Sequence, residues 1–184
     1  MHIALADLAD TEVQGLIAYH QRAMLEGSPP GLSFALDLSG LQDDAVTVWA
    51  VHIEGRVSAI GALKRLEGGR GEVKSMRTHP DFLRRGLAAG LLETIIAHAR
   101  TEGLTVLSLE TGSGPQFEPA LALYRRRGFV NGAAFADYRL TSFNQCLHLP
   151  GPQAEIPEQQ RQRTGCQRCQ ADPDEEDARH QQFG

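Results

Sequence analysis

The residues whose types and spacing most suggest chemistry lie in "KSMRTHPDFLRRGLAAGLLETIIAHAR", residues 74–100, where Arg84 and Arg85 stand directly before Gly86. Leu92, Ile95, Ile96 and Ala99 follow at i, i+3, i+4 and i+7, the spacing of one helix face. The first turn of a helix leaves backbone N–H groups unpaired and carries partial positive charge, so a helix starting at Gly86 can hold an anion. Gly86 keeps the approach open, Ala88 and Ala89 stay small, and the two arginines add charge. A pyrophosphate suits such a turn. The plainer alternative is that Gly86 only starts a helix and both arginines are solvated, because short glycine motifs match by chance. No lysine completes G-x-x-x-x-G-K-[ST] and the lone glycine does not complete G-x-G-x-x-G, which disfavours ATP and NAD as ligands.

Other reactive side chains carry less. His20 falls on the apolar face of a helical run and reads as a packed or hydrogen-bonded histidine. His52 and His79 have no partner at metal-ligand spacing, so no metal site is expected. Ser108 and Ser113 lack a His-Asp setting, which leaves a serine hydrolase unsupported, and Trp49 in a strand-like run reads as core. The spacing "CQRC" at Cys166 and Cys169 lacks a second ligand pair in a folded context.

These residues need a scaffold, and the chain supplies enough for one main domain: 184 residues, 41% hydrophobic and 22% charged. A net charge of -5 argues against non-specific nucleic-acid binding. The absence of a long apolar run or an N-terminal signal pattern, together with three cysteines, leads to the expectation of a cytoplasmic protein away from membranes. Residues 150–184 are rich in Gln, Glu, Asp and Arg, with Ile156 and Phe183 their only large apolar side chains, and are expected to be a disordered tail. Upstream, a short strand over residues 2–8 precedes an amphipathic helix with Val13, Leu16, Ile17, His20 and Met24 on one face. "AVTVWAVHIEG", "RVSAIGALKRLEGG" and "RGEVKSMRT" read as three strands of an antiparallel meander. The helix after Gly86 then crosses over to "LTVLSLE", which predicts a parallel neighbour for the third of them. A short helix over "EPALALYRRRGF" and two closing strands, "DYRLTS" and "NQCLHLP", complete an α/β sandwich with a mixed sheet.

"GEVKSMRTHPDFLRRGLAAGLLETIIAHA", then "LSLETGS", then "EPALALYRRRGF", resembles the acyl-CoA N-acyltransferases of the GNAT superfamily over residues 2–149. The phrases "GALK", "KSMRT", "LETGS" and "FADY" are further similar to a bacterial subgroup of the YsnE type. The resemblance implies a mostly antiparallel sheet with a central parallel pair and helices on both faces. It implies acetyl-CoA as co-substrate, its pantetheine arm along Met76, Arg77 and Thr78, and its pyrophosphate over Arg84, Arg85, Gly86, Leu87, Ala88 and Ala89. Two positions depart from the family pattern: Leu83 replaces a Gln or Arg, and Phe117 replaces an Asn.

Acetyl transfer to an amine requires the amine to lose a proton and the departing thiolate to gain one. Tyr124 resembles the tyrosine that donates the second proton, although it is also spaced to face the core from Leu121. Glu72 and Glu110 are rival bases, and ordered water is a third option. The acceptor side is expected along the first helix, the "GSPPGLSFALDL" loop and the "NGAAFADY" segment, with Met24, Leu32, Phe34, Phe135 and Tyr138 suited to a small amine or amino-acid-like acceptor. Relatives often pair, which makes a homodimer an expectation. The competing class is a degenerate module that binds CoA or a partner without catalysis.

Overall fold

The computed structural model describes residues 1–31 and 34–151. The elements in chain order are β1 (His2–Leu5), α1 (Thr11–Gly27), α2 (Leu38–Leu41), β2 (Val46–Ile53), β3 (Arg56–Leu66), β4 (Arg70–Thr78), α3 (Leu87–Thr101), β5 (Val106–Gly112), α4 (Glu118–Arg126), β6 (Val130–Gly132) and β7 (Asn144–Pro150). They build one sheet in the order β1-β2-β3-β4-β5-β7-β6, with every neighbouring pair antiparallel except β4 and β5. The expected meander and the crossover through α3 are both present.

Strand alternation divides the core between the two faces of the sheet. Val48, Ala50, Ile60 and Ala62 pack with Val13, Leu16 and Ile17 of α1. Trp49, Val51, Ala59 and Leu63 pack on the opposite side with Leu91, Leu92, Ile95 and Ile96 of α3. Both helices have identifiable starts. The Asp10 carboxylate accepts from the Glu12 N–H at 2.7 Å to cap α1, while α3 begins at Gly86 with no side-chain cap. Gly61 leaves room for its neighbours: a Cβ there would lie 2.5 Å from the Met76 sulfur and 3.0 Å from the Leu91 side chain of α3. Among the described residues no helix is long and apolar enough to cross a membrane.

One strand differs from expectation. "DYRLTS" is not a strand; the strand pairing with β7 at that edge is Val130–Gly132. The alternation of Tyr138 and Leu140 imitates a strand, but Tyr138 turns inward to a buried lysine while Leu140 is exposed. Asn144 ties this segment into a turn by accepting from the Thr141 N–H and hydroxyl and donating to the Arg139 carbonyl. The closing strand forms where "NQCLHLP" predicts it, over Asn144–Pro150, and the Gly151 N–H donates to the Thr105 carbonyl. The rest of the expected tail, with its two cysteines, and Leu32 lie outside the described residues.

Candidate active site

The parallel pair is short, and its shortness opens the site. β4 and β5 are in register only from Arg70 to Glu72 against Val106 to Ser108. Beyond that, β5 is held by β7 along its whole length, and β4 continues to Thr78 paired only with β3. The strands diverge around a cavity of about 330 Å³. Glu72, Lys74, Ser75, Met76 and Arg77 line it from β4, Glu110 and Thr111 from β5, Phe117 and Tyr124 from α4 and its cap, and His20 and Met24 from α1.

Within the cavity wall β4 is bulged. Ile60 faces Arg77 and Ala62 faces Lys74, so two residues of β4, Ser75 and Met76, oppose the single Gly61. Ser75 takes φ 54°, an unusual value for a side-chain-bearing residue that costs on the order of 1–3 kcal/mol. Its buried hydroxyl has no hydrogen-bond partner among the described residues. The extra residue shifts the alternation. Val73 and Met76 face α3, whereas Glu72, Lys74 and Arg77 all face the cavity.

The two glutamates occupy different electrostatic settings. The buried Glu72 carboxylate accepts from Lys74 Nζ at 3.1 Å and from the Tyr138 hydroxyl at 2.5 Å, and Lys74 Nζ donates to the same hydroxyl at 2.6 Å. Tyr138 is held edge-on against Phe34 and tilted against Phe135, at 5.1 and 5.0 Å between ring centroids. Burial, then the Glu72 charge, raises the Tyr138 pKa. Glu110 has no ion-pair partner among the described residues, and burial raises its pKa above the ordinary value of 4.5. Tyr124 is buried against Phe129, 5.8 Å between centroids, and burial pushes its hydroxyl up to about 12 despite the nearby Arg77. Arg77 Nε donates to His20 Nδ1 at 3.0 Å. Burial, followed by the charges of Arg77 and Lys74, lowers the His20 pKa to about 3, so the ring stays neutral with its proton on Nε2.

The arginine-glycine turn lies at the far end of β4, past a 3-10 turn over Pro80–Phe82, and outside the cavity lining. Gly86 takes φ 77° and Arg84 φ 60°, and a Cβ on Gly86 would meet nothing within 4 Å. Among the described residues no acceptor takes the N–H groups of Leu87, Ala88 and Ala89, and the first helical bond at this end is from Gly90 to the Gly86 carbonyl. Arg84 and Arg85 are exposed, the latter with its guanidinium 5.2 Å from the centre of the Phe82 ring. An uncapped helix start with exposed guanidinium groups fits a pyrophosphate.

The structure thus brings Glu72, Glu110, Tyr124, Met76 and Arg77 to one cavity and leaves Thr78 and residues 84–89 outside it. Met24 and Phe34 line the cavity, while Phe135 and Tyr138 stand behind its wall. Leu83 is 57% exposed and obstructs nothing, and Phe117 packs on Gly112 and edge-on to Phe143. Sequence reasoning missed Lys74, Ser75 and the Arg77 side chain. Lys74 was findable, since i, i+2 from Glu72 shares a strand face; the bulge that re-aims Arg77 left no local signal.

Comparison with known proteins bears on the family and the fold. Residues 13–129 match the acetyltransferase (GNAT) family. The uncharacterized N-acetyltransferase YedL of Escherichia coli (strain K12) is 45% identical over 143 residues, covering 78% of this chain and 90% of YedL. The uncharacterized N-acetyltransferase YsnE of Bacillus subtilis (strain 168) is 42% identical over 138 residues, covering 75% and 91% of the two chains. In fold, the Salmonella typhimurium protein yncA, solved with its cofactor acetyl-CoA, superposes with a TM-score of 0.63 at 20% identity, covering 85% of this chain and 97% of that one.

Proposed function

This chain belongs to the GNAT acetyltransferase family, and from that premise we propose that it moves an acetyl group from acetyl-CoA to the amine of a small molecule by direct transfer in a ternary complex. The observation that carries the reading is the convergence of Glu110 and Tyr124 on the cavity beside the unpaired edge of β4. The α3 N-terminus with Arg84 and Arg85 holds the pyrophosphate, and the free edge of β4 from Met76 to Thr78 holds the pantetheine amides. Residues 1–149 form the domain that carries the activity.

Glu110, with a raised pKa and no salt bridge, is the base: it takes a proton from the incoming ammonium. Glu72 is the weaker candidate because Lys74 and Tyr138 already occupy its carboxylate. The freed amine attacks the thioester carbonyl, the C–S bond breaks, the Tyr124 hydroxyl protonates the leaving thiolate, and the tyrosinate regains its proton from the newly acylated nitrogen. At about 12 the Tyr124 pKa keeps that hydroxyl protonated at neutral pH, as a donor requires. Direct transfer is favoured over an acetyl-enzyme because Cys146, the only cysteine among the described residues, is buried and has its thiol pushed up by burial and by Glu110.

Tyr124→Phe is the test. Loss of a positioned acid is expected to lower kcat about 100-fold with acetyl-CoA affinity retained, measured by CoA thiol release and by calorimetry. Full turnover in that variant contradicts the assignment.

A further inference from the structure

The charges in the cavity sum to zero but are not all paired, and the two without ion-pair partners describe a ligand. Lys74 and Glu72 neutralise one another at 3.1 Å. That leaves one cation and one carboxylate on the wall, Arg77 and Glu110, neither with an ion-pair partner among the described residues. The Arg77 guanidinium uses its Nε–H on the neutral His20 ring and stacks 5.6 Å from the centre of the Tyr19 ring. Both contacts orient the group, and neither offsets its charge. Its two terminal amino groups form a planar fork suited to a carboxylate.

This placement is constructed. In a regular strand Arg77 would share a face with Val73 and point toward α3; the Ser75 bulge turns it to the cavity side with Glu72 and Lys74. Burial lowers the Arg77 pKa, so the free guanidinium is held at a cost that a bound anion would offset. A cavity of about 330 Å³ sits near the low end of the roughly 300–1,000 Å³ range of small-molecule sites, which favours a compact acceptor.

We infer that the acceptor is an amine that also carries a carboxylate, a free amino acid or small amino-carboxylate, and that Arg77 binds its carboxylate while Glu110 faces its amine. This rests on the acetyl-transfer reading above and adds the substrate class. Arg77 acts here as a specificity residue through its side chain, separately from the backbone it offers to the pantetheine arm.

The experiment measures CoA thiol release from acetyl-CoA with the amino acids and small ω-amino carboxylates, each beside its carboxamide, in wild type, Arg77→Gln and Arg77→Lys. Acetyl-CoA binding is followed in the same samples by thermal shift. In wild type the acid is preferred over its amide in kcat/KM. Arg77→Gln lowers that preference by about 10- to 100-fold, the worth of a charge-assisted hydrogen-bond pair, and Arg77→Lys recovers part of it. Equal use of acid and amide by wild type, or an unchanged preference in Arg77→Gln, overturns the inference. Binding of acetyl-CoA with turnover of no carboxylated amine also overturns it while leaving the cofactor reading standing. Absence of any acetyl-CoA shift sinks both.

Discussion

The turn before α3 and the cavity between β4 and β5 are built in opposite ways. The turn is contiguous in sequence and is built mainly of backbone: three N–H groups with no acceptor among the described residues and a glycine at φ 77°, flanked by two exposed arginines. The cavity is assembled from side chains of α1, β4, β5 and α4, and its electrostatics depend on which partner each side chain finds. A ligand held by backbone can be recognised from a short motif. A ligand chosen by side chains depends on a fold, and here on one bulge, before its chemistry becomes visible.

That contrast predicts where single changes act. The largest effect belongs to Glu110→Gln, expected to lower kcat/KM by about 10²–10⁴-fold, the range for loss of a positioned base, with acetyl-CoA binding unaffected. Because burial raises the Glu110 pKa, the acidic limb of the wild-type rate profile should lie above the ordinary carboxylate range and vanish in the variant. Stability carries the opposite sign. A raised folded-state pKa means the native state holds the proton more tightly, so this contribution is present below the unfolded pKa and is lost as pH rises through the folded one. Glu110→Gln is therefore expected to melt higher than wild type at pH 7 while being nearly inactive, which calorimetric scans at pH 4 and pH 7 would check.

Gly86→Asp makes the complementary change at the turn. A carboxylate placed against a bound pyrophosphate costs several kcal/mol, so acetyl-CoA affinity should fall by about 100-fold or more in a titration. Nothing lies within 4 Å of the new Cβ, so the cost to the fold is the backbone strain of an aspartate at φ 77°, about 1–3 kcal/mol, which the fold should survive. Tyr138→Phe has the smallest expected effect. It removes two hydrogen bonds, the one donated to Glu72 and the one accepted from Lys74, and should cost about 1.5–3 kcal/mol in denaturant unfolding, with little change in acetyl-CoA affinity.

Much of the scaffold was legible because its signals are local. The α3 face, the meander and the crossover follow from spacing and turn residues, and the helix start at Gly86 is where the arginine-glycine motif puts it. The edge hairpin was not. Val130–Gly132 is too short and exposed to show alternation, while Tyr138 and Leu140 show it inside a loop. Site residues divided the same way: Glu72, Glu110 and Tyr124 followed from the family resemblance and meet in one cavity, but nothing in sequence separated the two glutamates. Their difference is tertiary, set by a tyrosine 66 positions from Glu72.

The central claim is that this chain uses acetyl-CoA, and a thermal-shift titration with acetyl-CoA beside ATP and NAD tests it most directly. A ligand binding only the native state adds about 2.7 kcal/mol of stability at one hundred times its Kd, worth roughly 5–10 °C in a chain of this size. The account predicts that shift for acetyl-CoA alone. No shift with acetyl-CoA, or equal shifts with all three, would contradict it.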